Sequence, residues 1–97
     1  MDEYRTQVIR KRLRFTGHVQ GVGFRYRAEH AAAMTGATGW VRNDPDDAVS
    51  MEIQGTEEMI DRVIQMIEAG TYIRIETIDA KTISIRPDER GFLTDEE

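Results

Sequence analysis

Four segments of strand-like composition, two stretches of helical periodicity between them, and turn-forming residues at the junctions order this chain as β-α-β-β-α-β. That order predicts an α+β fold, the ferredoxin-like split β-α-β sandwich: a mainly antiparallel sheet with two helices on one face. A short additional strand fits at the C-terminal end.

Each element follows from its residues. Residues 7–15 read as the first strand, with Ile9, Leu13 and Phe15 on one face and Arg10, Arg12 and Arg14 on the other; Lys11 interrupts the apolar side. Residues 16–21 form a glycine-rich loop. Residues 22–35 read as a helix with the stripe Phe24, Ala28, Ala31 and Ala32, and Gly36 can end it. Residues 37–43 and 48–54 read as a hairpin, Val49, Met51 and Ile53 alternating with Ser50, Glu52 and Gln54. Its turn is Asp44-Pro45-Asp46-Asp47. Thr56 can cap a second helix over 57–69, with Glu57 and Glu58 in the first turn, where negative charge suits the helix dipole. Ile60, Val63, Ile64 and Ile67 give it a buried stripe, and Gly70 stops it. A long β-rich run covers 72–85 and a short strand 91–95, and the tail Asp95-Glu96-Glu97 is expected to fray. With both helices on one face, the other face is expected to be partly solvated, which accounts for Arg10, Arg12 and Arg14.

A chain of 97 residues, 39% apolar and 32% charged, matches one compact domain spanning 1–97. It contains no cysteine, which removes disulfides and thiolate metal sites and fits a reducing compartment. No apolar run approaches the roughly 20 residues that span a bilayer, and Met1-Asp2-Glu3-Tyr4 has neither the basic start nor the apolar run of a signal peptide. A cytoplasmic protein with no membrane partner is the expectation. The net charge of −5 is unevenly placed, about +5 over residues 1–42 and −10 over 43–97. An acidic chain is a poor candidate for general nucleic-acid binding, and the basic half suits a small anion or a chance segregation of surface charge equally well.

The most informative residues are Gly17-His18-Val19-Gln20-Gly21-Val22-Gly23-Phe24-Arg25. Three glycines in seven positions allow a tight turn that points several N–H groups at one ligand, and the helix that follows adds the positive end of its dipole. Arg25 falls in the first helical turn, where a cation opposes that dipole unless an anion joins it. Its planar fork suits a phosphate. The residues do not make a Walker loop, which needs a lysine and a hydroxyl residue, and the glycine spacing is not that of a dinucleotide fingerprint. A plain strand–helix turn with a surface arginine is the bland alternative. Asn43 sits before the hairpin turn, where asparagine is common for conformational reasons alone. Element order does not place it beside the loop.

Gly17-x-Val19-Gln20-Gly21-Val22-x-Phe24-Arg25, followed by Gly39-Trp40-Val41-x-Asn43 and by Gly55 ahead of the second helix, resembles the acylphosphatase family over roughly residues 7–85. The resemblance implies a ferredoxin-like enzyme that hydrolyses the carboxyl–phosphate bond of acyl phosphates, with Arg25 and Asn43 as its catalytic residues. It implies that backbone amides from His18 through Val19, Gln20, Gly21, Val22 and Gly23 to Phe24 hold the phosphate. It also implies an acyl phosphate substrate, inorganic phosphate as product and inhibitor, no cofactor, no metal and a monomer. The alternative is a module that binds phosphate or a phosphorylated metabolite without turnover.

The chain departs from the family's pattern at three places. Asp47 stands where glycine usually follows Asp in the hairpin, which implies a different turn. Gly70-Thr71-Tyr72 has no proline pair. Gly91-Phe92-Leu93-Thr94 lacks the usual Ile-Arg finish, which leaves the pairing of the last strand open. His18 is expected as an exposed loop residue and His30 as a structural one. Asp44, Asp46 and Asp47 lack the glycine and distal glutamate of a calcium loop. Trp40 and Phe24 are expected in the core rather than as base-stacking platforms, and the aromatic pattern of RNA-binding sandwiches is missing.

Overall fold

The computed structural model describes residues 6–95, so the tail expected to fray lies outside the described residues except for Asp95. Seven elements follow in order: β1 (Val8–His18), α1 (Phe24–Thr35), β2 (Thr38–Asn43), β3 (Val49–Thr56), α2 (Glu57–Glu68), β4 (Arg74–Ile83) and β5 (Phe92–Asp95). The sheet order is β4-β1-β3-β2-β5. Every pairing is antiparallel except β2 with β5, which is parallel. This is the expected β-α-β-β-α-β arrangement with its extra C-terminal strand.

The odd-numbered side chains of β1 and β3 make the floor of the core. Leu13, Phe15, Val49, Met51 and Ile53 are buried there under Phe24, Ala28, Ala31 and Ala32 of α1 and Ile60, Val63 and Ile67 of α2. Alanines on α1 let that helix lie close to the sheet. Phe24 packs edge-on against Phe15 with ring centroids 4.9 Å apart, which pins the first turn of α1 to β1. Thr56 caps α2 as expected: its hydroxyl accepts the Met59 N–H at 3.2 Å, and Glu57 and Glu58 occupy the first turn. Ile64 is only half-buried, at the edge of the stripe.

The opposite sheet face differs from the expectation. Arg10 is 1% exposed, and Ser50, Glu52 and Gln54 of β3 are buried as well. The reason is topological. β4 and β5 lie at opposite edges of the sheet, so the chain between them must cross it, and it crosses the face without helices. Ile83, Arg10, Gln54 and Thr38 form one row across four strands. Residues 84–91 run along that row. The Arg86 N–H donates to Gln54 Oε1 at 2.7 Å, Gln54 Nε2 donates to the Arg86 carbonyl at 2.9 Å, and Thr38 Oγ1 donates to Glu89 Oε1 at 2.8 Å. Arg10 sits beneath, donating to Glu52 Oε1 at 2.9 Å, to Gln54 Oε1 at 3.2 Å, and to both oxygens of Glu89 at 2.7 and 3.1 Å. A buried guanidinium is tolerable because these acceptors meet its donors. Arg12 and Arg14 stay partly solvated, paired with Glu52 and Asp46. Trp40 is not in the core: it is half-buried on this face, with the Arg12 and Arg42 guanidinium carbons 5.7 and 5.1 Å from its ring centroid.

Candidate active site

β1 and β2 do not touch, because β3 lies between them. Both run antiparallel to β3, so their C-terminal ends emerge at the same end of the sheet. Phe15 and Asn43 each face Val49. Past Phe15, β1 continues through a bulge at Thr16/Gly17 to His18, two residues further than the loop was expected to begin. The chain then turns back at Val19–Gly23 into α1.

The side chain of Gln20 holds that return against the hairpin. Its amide donates to the carbonyls of Asp44 and Ala48, both at 2.8 Å. The hairpin is itself braced. The Asp44 N–H donates to the Ala48 carbonyl at 2.8 Å, and Ser50 Oγ donates to Asp44 Oδ2 at 2.6 Å. The Asp46 carboxyl is held below the ordinary carboxylate range, by a hydrogen bond from Arg14 first and by the Ala48 N–H second. Asp47, the expected source of a different turn, sits at φ 74°, the left-handed region that glycine enters without cost.

The result is a cleft of about 540 Å³ lined by Val19, Gly21, Gly23, Phe24, Arg25 and Asn43. Tyr26, Glu29, Leu93 and Thr94 complete it. Gly21 and Gly23 lie at φ 73° and 87°, and a Cβ on either would touch nothing within 4 Å. Their role is therefore conformational: they let the backbone turn back at the cleft into α1. Among the described residues, no acceptor takes the N–H of Gln20, Gly21, Val22 or Gly23. Arg25 stands in the first turn of α1, two residues after its N-cap Gly23, and pairs with no described carboxylate. The Asn43 amide also has no hydrogen-bond partner among the described residues. Gly21 and Gly23 with open N–H groups, an unpaired guanidinium and a free amide thus line one opening at the positive end of a helix. That arrangement can hold a phosphoryl group and place a water beside it.

The other expected residues fall as follows. His18 is exposed, but it closes β1 opposite Arg74 rather than lying in the loop. Val22 is half-buried against the core. His30 lies exposed on α1, stacked on Tyr26 with centroids 6.2 Å apart. Among the described residues, no three of His, Cys, Asp and Glu cluster as a cation site. No helix among the described residues is long and apolar enough to cross a membrane. Sequence reasoning missed the cleft wall made by Tyr26, Glu29, Leu93 and Thr94. The helical spacing of Arg25 and Glu29 signals a shared face, but nothing local signals that β5 returns beside β2.

Comparison with known proteins bears on the same residues. The acylphosphatase family model matches residues 11–94. An acylphosphatase from Geobacillus thermodenitrificans is 43% identical over 77 residues, covering 78% of this chain and 82% of its own. The crystal structure of acylphosphatase from Bacillus subtilis matches with a TM-score of 0.81 at 25% identity, covering 90% of this chain and 98% of that one. The structure of an acylphosphatase from Coxiella burnetii, at 22% identity, shares the fold with a TM-score of 0.82 over 98% of this chain and 100% of its own.

Proposed function

The chain belongs to the acylphosphatase family, and from that premise we propose that it hydrolyses acyl phosphates to a carboxylate and inorganic phosphate in the cleft between the Val19–Gly23 loop and Asn43. The observation that carries the proposal is that Gly21 and Gly23, with unpartnered amides, and the unpaired Arg25 guanidinium line that cleft.

In this mechanism the loop amides and Arg25 bind the phosphoryl oxygens and meet the charge that grows on them in the transition state. Asn43 hydrogen-bonds a water and aims it at phosphorus. The water oxygen bonds to phosphorus as the bond from phosphorus to the acyl oxygen breaks. The carboxylate departs with that electron pair, and the water's proton passes to a phosphoryl oxygen. A carboxylate is already a good leaving group, so no strong general acid is needed, and placement of the water supplies much of the remaining advantage. The donors are fixed in advance by the Gln20 bridge and by Phe24 packing on Phe15. In this proposal the protein acts without a metal, as a cytoplasmic monomer.

Hydrolysis of benzoyl phosphate by the purified protein in the presence of a chelator tests the proposal. Turnover unaffected by chelator is expected, with inorganic phosphate competing against substrate. Phosphate binding with no turnover overturns it in favour of a binding module, and activity that returns only with magnesium overturns the metal-free mechanism.

A further inference from the structure

The cleft extends past its anion end. Beyond Gly21, Gly23, Arg25 and Asn43 its wall is made by Tyr26, Glu29, Leu93 and Thr94, which take no part in the mechanism above. With the phosphoryl group at the loop and the water at Asn43, the acyl part of the substrate is left with this wall.

The wall has a definite chemistry. Tyr26 is 72% exposed, an aromatic side chain at the rim stacked on His30, whereas Leu93 pairs with Trp40 and turns its side chain to the sheet face away from α1. Glu29 lies one helical turn after Arg25 on α1, on the same side of the helix. Its Oε2 accepts from Thr94 Oγ1 at 3.5 Å, which ties α1 to β5 and holds the carboxylate at the cleft. No described cation pairs with it. The cleft is therefore positive at its loop end and negative at its outer wall, with the Tyr26 ring one helical turn before the carboxylate.

We propose that this wall selects the acyl group. It favours acyl phosphates whose acyl part is apolar or aromatic and uncharged, and disfavours those carrying a second negative charge; Glu29 is the specificity-determining residue. The proposal rests on the anion end holding the phosphoryl group as described above. A like charge brought within a few ångström of Glu29 in a water-filled cleft lowers binding by a factor of about five. The effect is screened by salt, because the Debye length falls to about 3 Å at 1 M. Glutamine at position 29 keeps an oxygen for Thr94 and removes the charge.

The test compares kcat/KM for acetyl, benzoyl and succinyl phosphate in the wild type, Glu29→Gln and Tyr26→Ala, at low salt and at 1 M salt. Glu29→Gln is expected to raise succinyl phosphate relative to acetyl phosphate about fivefold at low salt, and the gain should vanish at 1 M. Tyr26→Ala is expected to lower benzoyl phosphate relative to acetyl phosphate. Unchanged substrate ratios in both variants, with acetyl phosphate still turned over, overturn the selection alone. An equal gain for all three substrates in Glu29→Gln also overturns it, because the carboxylate then acts on the phosphoryl group they share. Failure of the wild type to hydrolyse any of the three overturns the hydrolase function and the selection with it.

Discussion

Glu89→Gln probes the least expected contact in the fold. In the wild type, Glu89 receives two hydrogen bonds from the buried Arg10, at 2.7 and 3.1 Å, and one from Thr38 at 2.8 Å. Glutamine retains one acceptor oxygen but turns an NH₂ group toward a guanidinium that can only donate. A hydrogen bond to a charged group contributes about 1.5–3 kcal/mol, and orphaning a buried charge altogether costs about 3–5 kcal/mol. Arg10 is not orphaned here, because Glu52 still accepts from it at 2.9 Å and Gln54 at 3.2 Å. The expected loss is therefore about 2 kcal/mol. For a chain of 97 residues, each kcal/mol moves Tm by about 4–8 °C, so the variant should melt about 8–16 °C lower at pH 7. The pH dependence supplies an independent check. Burial pushes the Glu89 carboxyl up, but hydrogen bonds from Arg10 and Thr38 and the positive charge of Arg10 and Arg86 outweigh it, and the net direction is down. A carboxyl lowered on folding stabilises the native state above its unfolded pKa, about 4.3, and loses that contribution as pH falls through the lower folded value. The gap in Tm between wild type and variant should be full at pH 7 and narrow below about pH 4. Thermal unfolding followed by circular dichroism from pH 3 to 7 measures both. A fall in Tm under 3 °C at pH 7, or a gap of constant size across that range, would refute a stabilising Arg10–Glu89 ion pair.

Arg25→Lys should lower kcat/KM for benzoyl phosphate by about 10²–10³, since lysine keeps the charge but not the planar fork; steady-state rates that match the wild type would remove Arg25 from the site. Asn43→Ala should cut kcat by a similar factor while inorganic phosphate still binds, because water placement matters in the transition state. A folded Asn43→Ala protein with normal kcat and weakened substrate affinity would make Asn43 a binding residue instead. Asp47→Gly should relieve left-handed strain of about 1 kcal/mol, partly offset by the added freedom of glycine in the unfolded chain, and raise Tm by a few degrees with activity unchanged. A lower Tm would mean that the Asp47 carboxylate itself supports the turn.

Much of this protein was legible without coordinates because local rules carry it. Period-two and helical apolar patterns placed every element, and the Thr56 cap and the Gly36 and Gly70 stops set the helix ends to within a residue or two. The loop begins three residues late for a reason the local pattern does not carry: β4, distant in the chain, supplies a partner for Gly17 and His18, so β1 carries on through a bulge.

The sequence by itself determined the order of elements, the glycine loop with Arg25 in the first turn of the helix behind it, and the family those residues resemble. Only the tertiary structure decided what lies beside what. Gln20 brings Asn43 to the loop across an intervening strand, and β5 returns parallel to β2 to supply Leu93 and Thr94 to the cleft. Arg10 is buried because the connection from one sheet edge to the other must cross a face, and the helices already occupy the other one. Each of these is a pairing between residues distant in the chain. The alternation of apolar and polar residues says which way a side chain points from its own strand, but not which strand, or which crossing segment, will meet it there.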